Sequence, residues 1–240
     1  WPRGALIGFA AAVKLTPLAF LLFFVVRRDR RALAVAVVST LLWTELAFLL
    51  VPADARSYWL GGVLTATERI GDPGFASNQS VIGMLARLGV DGVPRIVGWL
   101  GLSAVIVIVA AAVMQRCAPD GTGAVDAMLI NAVAMLLISP VSWSHHWVWV
   151  APALLAAGLA LSARPVPRSR AAGTLVAGVV FVVAPHWLLP HRYGRERDWS
   201  WWQHLAGNAY VLTALLALAL LAWRYRPVTP AAVTPAAEPF

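Results

Sequence analysis

Apolar runs long enough to cross a bilayer recur along the chain and alternate with short polar or basic segments. A transmembrane helix needs about 20 mainly apolar residues. The pattern therefore predicts about seven membrane spans, at residues 4–26, 32–51, 94–115, 125–138, 147–161, 171–189 and 205–223. Ten-residue segments of alternating polarity, which would indicate an outer-membrane barrel, are absent from the sequence. We expect an all-α, polytopic transmembrane helical bundle over residues 1–226.

The composition strengthens the prediction of a membrane protein. Of the 240 residues, 60% are hydrophobic and 12% are charged, and the mean hydropathy is +0.73. A soluble domain of this size carries roughly twice that share of charge. The net charge of +8 is concentrated in short loops, which is typical of helix ends held in the cytoplasm and does not indicate nucleic-acid binding. Cys117 is the only cysteine, which excludes an intrachain disulfide and a thiolate metal cluster.

Basic residues in the short connections set the expected orientation of the bundle. The arginines assigned to the cytoplasmic side are Arg27, Arg28, Arg30, Arg31, Arg116, Arg164, Arg168, Arg170, Arg224 and Arg226. The long polar segment 52–93, with short helices expected around its apolar islands at 58–60 and 81–85, then lies outside, as does the loop 190–204. The Pro/Ala-rich tail 227–240 is predicted to be disordered. Because the sequence opens with Trp1, we expect further spans to precede it in a longer protein.

The segment 139–149, SPVSWSHHWVW, separates two apolar runs and contains two adjacent histidines. Pro140 interrupts a helix, and irregular backbone at membrane depth is tolerated only when it is buried in protein or lines a wet cavity. An aromatic belt would explain the tryptophans but not a histidine pair flanked by serines. Adjacent histidines on a helix point about 100° apart, so we expect no metal site. His145 or His146 is predicted to donate to a phosphate or to take a proton from a hydroxyl.

Lys14 lies about ten residues inside the first predicted span, one turn before Pro17. An intramembrane charge costs a few kcal/mol on insertion scales and is a functional candidate by default. A cation beside a locally opened backbone would suit a phosphate. The alternatives are that Lys14 snorkels along its own helix or forms a structural ion pair with Glu45 of the second span.

A compact run of amides and hydroxyls, Ser77-Asn78-Gln79-Ser80, lies in the long external segment. Such groups suit hydrogen bonds to sugar hydroxyls, but Ser77 or Asn78 could equally cap a helix that begins at Val81. A looser group of external basic residues is expected mainly to contact lipid headgroups. Its members are Arg87, Arg95, His191, Arg192, Arg195, Arg197 and His204.

Three motifs resemble, in order and spacing, those of glycosyltransferase family 87, the actinobacterial polyprenyl-phosphate-mannose-dependent α-(1→2)-mannosyltransferases. They are KLTPL at 14–18, SNQS at 77–80 and SPVSWSHHW at 139–147, of which the last is the most specific. The resemblance covers roughly residues 1–190. It implies a GT-C-type bundle in the plasma membrane, with an extracytoplasmic active site. It also implies a polyprenyl-phosphate-mannose donor and a mannosylated glycolipid or lipoglycan acceptor of the cell envelope.

The resemblance further implies inversion at the anomeric carbon, with an external-loop aspartate as general base. No residue of this chain matches that aspartate, which is expected upstream, so the chain alone is expected to be inactive. On this interpretation neither a metal nor another cofactor is needed. Lys14, His145 and His146 bind the donor phosphate, and one of the histidines is catalytic. The residues expected at the sugar or acceptor are Ser77, Asn78, Gln79, Ser80, Trp143 and Ser144.

Two other functions remain open at this point. A transporter or lipid flippase could use Lys14 and Glu45 as a substrate or proton pathway, and a ligase could handle undecaprenyl-linked glycans. The polar segments all fall on one predicted face, whereas a transporter needs access from both sides. An aspartate just after an upstream first span would favour the mannosyltransferase, and inverted repeats of spans would favour transport.

Overall fold

The computed structural model describes residues 1–63, 66, 69, 71–118, 120–163 and 167–225, and within these ranges its regular structure is helical. Short 3₁₀ helices and one isolated β-bridge accompany the α-helices, so the predicted all-α class is confirmed for this part of the chain. The predicted disordered tail lies outside the described residues. The α-helices are α1 (Ala5–Val13), α2 (Leu21–Val26), α3 (Arg30–Leu50), α4 (Pro52–Trp59), α5 (Val81–Arg87), α6 (Gly92–Met114), α7 (Gly121–Ile138), α8 (Val150–Ala163), α9 (Arg168–Val183), α10 (Trp201–Gly207) and α11 (Ala209–Arg224).

Four helical segments of the described residues are long and apolar enough to cross a membrane, which makes the chain a multi-pass membrane protein. They are α3, α6, α7 and the continuous segment Ser144–Ala163. A fifth is counted if α10 and α11, which meet at an angle of 73°, form one bent span. The predicted total of seven is not reached by this measure, because the first predicted span is broken and α9 has only 16 residues. The count of seven therefore stays a prediction.

The first predicted span is split at Lys14. Helix α1 ends there in an extended conformation, with φ −150° and ψ 126°, and the chain resumes as a 3₁₀ helix, Thr16–Phe20, that leads into α2. Pro17 accounts for the break, because proline lacks an N–H and clashes with the preceding helical turn. Helix α1 packs closely on α3, where a Cβ at Gly8 would collide with the carbonyl of Ala36.

Helix α7 lies at the centre of the bundle. Buried residues make up 56% of its apolar stretch, against 6% for α3 and 17% for α6. Its core partners come from α6 and α11, and they include Val113, Met114 and Val211, all fully buried. The apolar side chains left exposed on α3 and α6 suit contact with lipid. Because α7 is held in place by this packing, its C-terminal end fixes the position at which the following segment, 139–149, begins.

The segment 52–93, after α3, contains the short helices expected around its two apolar islands, α4 and α5. Helix α5 is capped by Ser80, whose hydroxyl accepts a hydrogen bond of 3.3 Å from the N–H of Gly83. The sequence-based expectation of a cap by Ser77 or Asn78 was therefore wrong. Helix α5 packs on α6, so the segment 71–80 lies against the end of the bundle from which α7 emerges.

Candidate functional site

The histidine pair lies on a 3₁₀ helix, Ser144–Trp149, that joins the irregular segment 139–143 to α8. His145 is exposed and His146 is half-buried. Their ring centroids are 4.4 Å apart and the ring planes meet at 73°, so the two imidazoles present different edges to their surroundings. Among the described residues there is no cluster of three or more His, Cys, Asp or Glu side chains that could hold a metal ion.

The structure brings the second and third sequence motifs into direct contact, although they lie more than 60 residues apart. Asn78 and Trp143 form an antiparallel bridge, and the N–H of Gln79 donates to the carbonyl of Ser142 at 2.8 Å. The Asn78 side chain accepts from the N–H of Ser142 at 2.9 Å and donates to the carbonyl of Pro140 at 3.2 Å. The segment before the histidines is thus held by the segment that precedes α5.

Asn78, Gln79 and Ser80 are fully buried, and their side chains bond within the protein. The amide of Gln79 donates to the carbonyls of Ala76 at 2.8 Å and Gly207 at 2.7 Å, while the hydroxyl of Ser80 donates to Asn78 Oδ1 at 2.9 Å. These bonds make the three residues a scaffold for the site. Direct contact between these three residues and a sugar stays a prediction that this geometry does not support.

An open pocket of about 930 Å³ lies beside the histidine pair. Three predicted site residues line it: Ser77, Trp143 and His145. The hydroxyls of Ser77 and Ser144 are 3.1 Å apart, and the N–H of Ser144 donates to the Ser77 hydroxyl at 3.3 Å, which ties the two pocket segments together. The other lining residues are Gly71, Asp72, Phe75, Arg192, Tyr193, Gly194 and Glu196.

Lys14 is placed near the same site by the break in the first predicted span. The 3₁₀ helix after it is bonded to α7, where the Asn131 amide donates to the carbonyl of Ala19 at 3.2 Å, and Phe20 packs on Trp149 with ring centroids 5.5 Å apart. Lys14 is exposed, and its charge acts on His146. The structure therefore associates Lys14 with His146, while His145 faces the pocket.

The ion pair considered for Lys14 is not formed. In the part of the chain that the structure describes, no salt bridge joins Lys14 to Glu45, and both side chains are exposed. The pairing expected from their positions in neighbouring spans was wrong. Lys14 keeps its ammonium group available at the break, next to the histidine pair.

Arg87 was expected to contact lipid headgroups, but it is fully buried beneath the site. Its Nη1 donates to the carbonyls of Phe75 at 3.1 Å and Asn78 at 3.0 Å, while Nε and Nη2 donate to Asn208 Oδ1 at 3.0 and 2.6 Å. Desolvation lowers the pKa of Arg87 to about 9, so it remains charged at neutral pH. Helical spacing was the available signal, because Arg87 lies seven positions after the capping Ser80 and so on the same face of α5.

The loop after α9 forms the remaining side of the pocket. Glu196 is only 3% exposed, and its Oε1 accepts a hydrogen bond of 3.2 Å from the N–H of Ala76. Arg197 makes a bidentate pair with Asp91, at 2.7 and 3.0 Å, and Arg95 joins the same carboxylate at 3.2 Å. The hydrogen bond from Arg197 lowers the pKa of Asp91. Arg197 thus fastens this loop to Asp91 at the start of α6, and Arg95 pairs with the same carboxylate from within α6. The headgroup interpretation missed both ion pairs.

The fold and the site define a multi-pass membrane protein whose cationic and histidine side chains gather beside an open pocket at one end of the bundle. The sequence model of Glycosyltransferase family 87 matches residues 1–140, and the chain belongs to this family. This membership confirms the resemblance drawn from the three motifs. No solved structure matches the chain.

Curated relatives match nine-tenths of the chain. It is 40% identical to a polyprenol-phosphate-mannose-dependent alpha-(1-2)-phosphatidylinositol mannoside mannosyltransferase of Mycobacterium tuberculosis, over 90% of this chain and 49% of the relative. The protein of the same name from Mycolicibacterium smegmatis is 37% identical over 92% and 51%. A phosphatidylinositol pentamannoside mannosyltransferase of the latter organism is 31% identical over 93% and 54%. The chain spans about half the length of these relatives.

Proposed function

We propose that this chain is part of a membrane mannosyltransferase with a GT-C-type bundle of about seven spans. The enzyme moves mannose from a polyprenyl-phosphate-mannose donor to a mannosylated glycolipid or lipoglycan, with inversion, on the extracytoplasmic face of the plasma membrane. One observation carries the proposal. The break at Lys14 and the break at Pro140 meet at one end of the bundle, beside an open pocket that His145 lines. The names of the relatives support the donor and the class of acceptor.

For mannose transfer, the site must stabilise the phosphate that leaves. An acceptor hydroxyl oxygen attacks C1 of the mannose, the bond from C1 to the phosphate oxygen breaks, and its electron pair leaves with the polyprenyl phosphate. Negative charge therefore grows on that oxygen in the transition state, where a fixed cation is most effective. Lys14 supplies this charge in the proposal, and His146 donates a hydrogen bond to the same phosphate. His145 lies on the side of the pair that lines the pocket. The hydroxyl proton passes to a general base to which the resemblance matches no residue of this chain.

The sugar ring lies in the pocket in this proposal. Trp143 offers an aromatic face there, and the hydroxyls of Ser77 and Ser144 lie at its edge. Asn78, Gln79 and Ser80 act indirectly, because their bonds fix the backbone that carries Trp143 and the histidines.

The distribution of charge supports an extracytoplasmic site. The pocket is built from segments 71–77, 143–145 and 192–196. In the predicted topology these are separated from the arginine-rich connection at 27–31 by one, three and five spans, so all three fall on the opposite face from that connection. The transport alternative, in contrast, used a Lys14–Glu45 pathway, and these two side chains are not paired.

Transfer by the full-length protein tests the proposed function. The purified enzyme is incubated with labelled polyprenyl-phosphate-mannose and a panel of phosphatidylinositol mannosides of increasing length. We expect label in a product one mannose longer, joined by an α-(1→2) linkage. Absence of transfer to every acceptor, by protein shown to be folded, would refute the proposal.

Lys14→Ala should weaken use of the donor more than use of the acceptor. Loss of a charge-assisted hydrogen bond of about 1.5–3 kcal/mol corresponds to an increase in the donor KM of about ten- to hundredfold. Steady-state kinetics with each substrate varied in turn measures the effect. Lys14→Arg, which keeps the charge, is the control and should retain most of the activity. Equal changes in both KM values would count against a phosphate role.

A further inference from the structure

One side of the pocket has no role in the donor chemistry. The residues of this side, here called the C-terminal wall, line the pocket together with Ser77, Trp143 and His145. They are Arg192, Tyr193, Gly194 and Glu196. The pocket volume of about 930 Å³ lies within the range of small-molecule sites. The hydrogen bond that Glu196 accepts from the N–H of Ala76 and the ion pair of Arg197 with Asp91 hold this wall to the rest of the site. The wall is therefore a built part of the pocket.

The charges of the pocket suit a neutral polyhydroxylated ligand better than a phosphate. Two carboxylates, Asp72 and Glu196, line it together with one arginine, Arg192. Carboxylates repel a phosphate but accept hydrogen bonds from sugar hydroxyls. Asp72 is held in place by the N–H of Gly74, which donates to its Oδ1 at 2.7 Å. The cation that suits a phosphate, Lys14, does not line this pocket but acts on His146.

Tyr193 adds an aromatic surface at the pocket. Its ring is 97% exposed, and its φ of 60° lies in the left-handed region that non-glycine residues rarely adopt. Gly194 continues the turn with φ 73°. Backbone strain of this kind is concentrated at functional sites, because it must be offset by the surrounding structure. The turn holds an amphipathic ring outside the protein core, at the same pocket that Trp143 lines.

We propose that the C-terminal wall is the binding site for the acceptor glycan. Glu196 accepts hydrogen bonds from hydroxyls of an acceptor mannose, and Tyr193 packs against the face of that sugar. The donor phosphate binds on the opposite side of the histidine pair, at Lys14 and His146. This assignment rests on the proposed mannosyltransferase function, and it replaces lipid-headgroup contact as the role of this loop.

Two substitutions in the full-length enzyme test the assignment. Glu196→Gln keeps the size of the side chain and an acceptor for Ala76 N–H, while Tyr193→Ala removes a ring that makes no core contact. We expect each to raise the acceptor KM about threefold or more, with the donor KM unchanged, because charge-assisted and aromatic contacts of this size are lost. Tyr193→Phe keeps the ring and should retain the wild-type acceptor KM. Arg195→Ala, exposed on the same loop but away from the pocket, is the matched control.

The outcomes separate the two proposals. Failure of the wild-type enzyme to transfer mannose would refute the proposed function. If the wild type is active, unchanged acceptor KM values in both Tyr193→Ala and Glu196→Gln would overturn the acceptor site. An increase confined to the donor KM would also overturn it. A fall in kcat with an unchanged acceptor KM for Glu196→Gln would likewise overturn the acceptor site. Glu196 would then act on the reacting atoms and not in acceptor binding.

Discussion

Replacing either histidine of the pair by alanine in the full-length protein should abolish mannose transfer and leave membrane insertion intact. Loss of one preorganised group that stabilises developing charge typically costs about a hundred- to a thousandfold in kcat. His145 faces the pocket and His146 lies under the influence of Lys14. Initial rates with saturating donor and acceptor, normalised to the amount of folded enzyme in detergent, measure the effect.

A neighbouring residue supplies the control for this experiment. Val148 lies on the same 3₁₀ helix, and its side chain is 67% exposed among the apolar surfaces of the bundle. Val148→Ala should therefore transfer mannose at nearly the wild-type rate. Wild-type rates in both histidine variants would remove the pair from the catalytic site.

Double substitutions distinguish the two rings. Because Lys14 acts on His146, their contributions to the transfer rate should be coupled. The activation free energy of the double variant Lys14→Ala/His146→Ala should rise by less than the sum of the rises in the two single variants. For the double variant Lys14→Ala/His145→Ala, the rise should come closer to the sum of the rises in the two single variants. This comparison distinguishes the roles of the two histidines, which cannot be told apart from their adjacent positions in the sequence.

The features that the sequence predicts well are those with local causes. Proline breaks a helix through its own ring and missing N–H, so the interruptions near Pro17 and Pro140 could be placed before the fold was known. Apolar runs similarly predict helices such as α3 and α6 from their length alone. The meeting of the two breaks, in contrast, depends on how α7 packs, and the sequence offered only the resemblance as a reason to associate them.

Burial of polar side chains was harder to predict because it depends on distant partners. Arg87 binds Asn208, 121 residues further along the chain, and Gln79 binds the carbonyl of Gly207, 128 residues away. A run such as SNQS shows that hydrogen bonds will be made, but not whether their partners are a ligand or the backbone. In the structure most of the partners are backbone groups of the protein. Buried polar groups usually find partners within the protein in this way.

Arg87→Met should destabilise the protein by about 3–5 kcal/mol, because buried partners of a charged group are left unsatisfied. Asn208 Oδ1 and the carbonyl of Asn78 would lose the donors that Arg87 provides, and the carbonyl of Phe75 would keep only the N–H of Asn78. Methionine has a similar length and fills much of the space, so the loss reports on hydrogen bonds and charge more than on a cavity. Arg87→Lys retains the charge but not the planar arrangement of donors. Its stability should therefore lie between that of the wild type and that of Arg87→Met.

Thermal unfolding of the purified variants in detergent, followed by size-exclusion chromatography after heating, measures this loss. Arg56→Met is the matched control, because Arg56 is exposed in the last turn of α4 and should leave the midpoint of unfolding unchanged. Arg87 also holds the segment that carries Ser77 and contacts Trp143, so surviving Arg87→Met protein should bind its substrates less tightly than the control does. If Arg87→Met unfolds at the same temperature as Arg56→Met, the buried guanidinium does not stabilise the site. The structural role assigned to Asn78 and Gln79 would then be refuted as well.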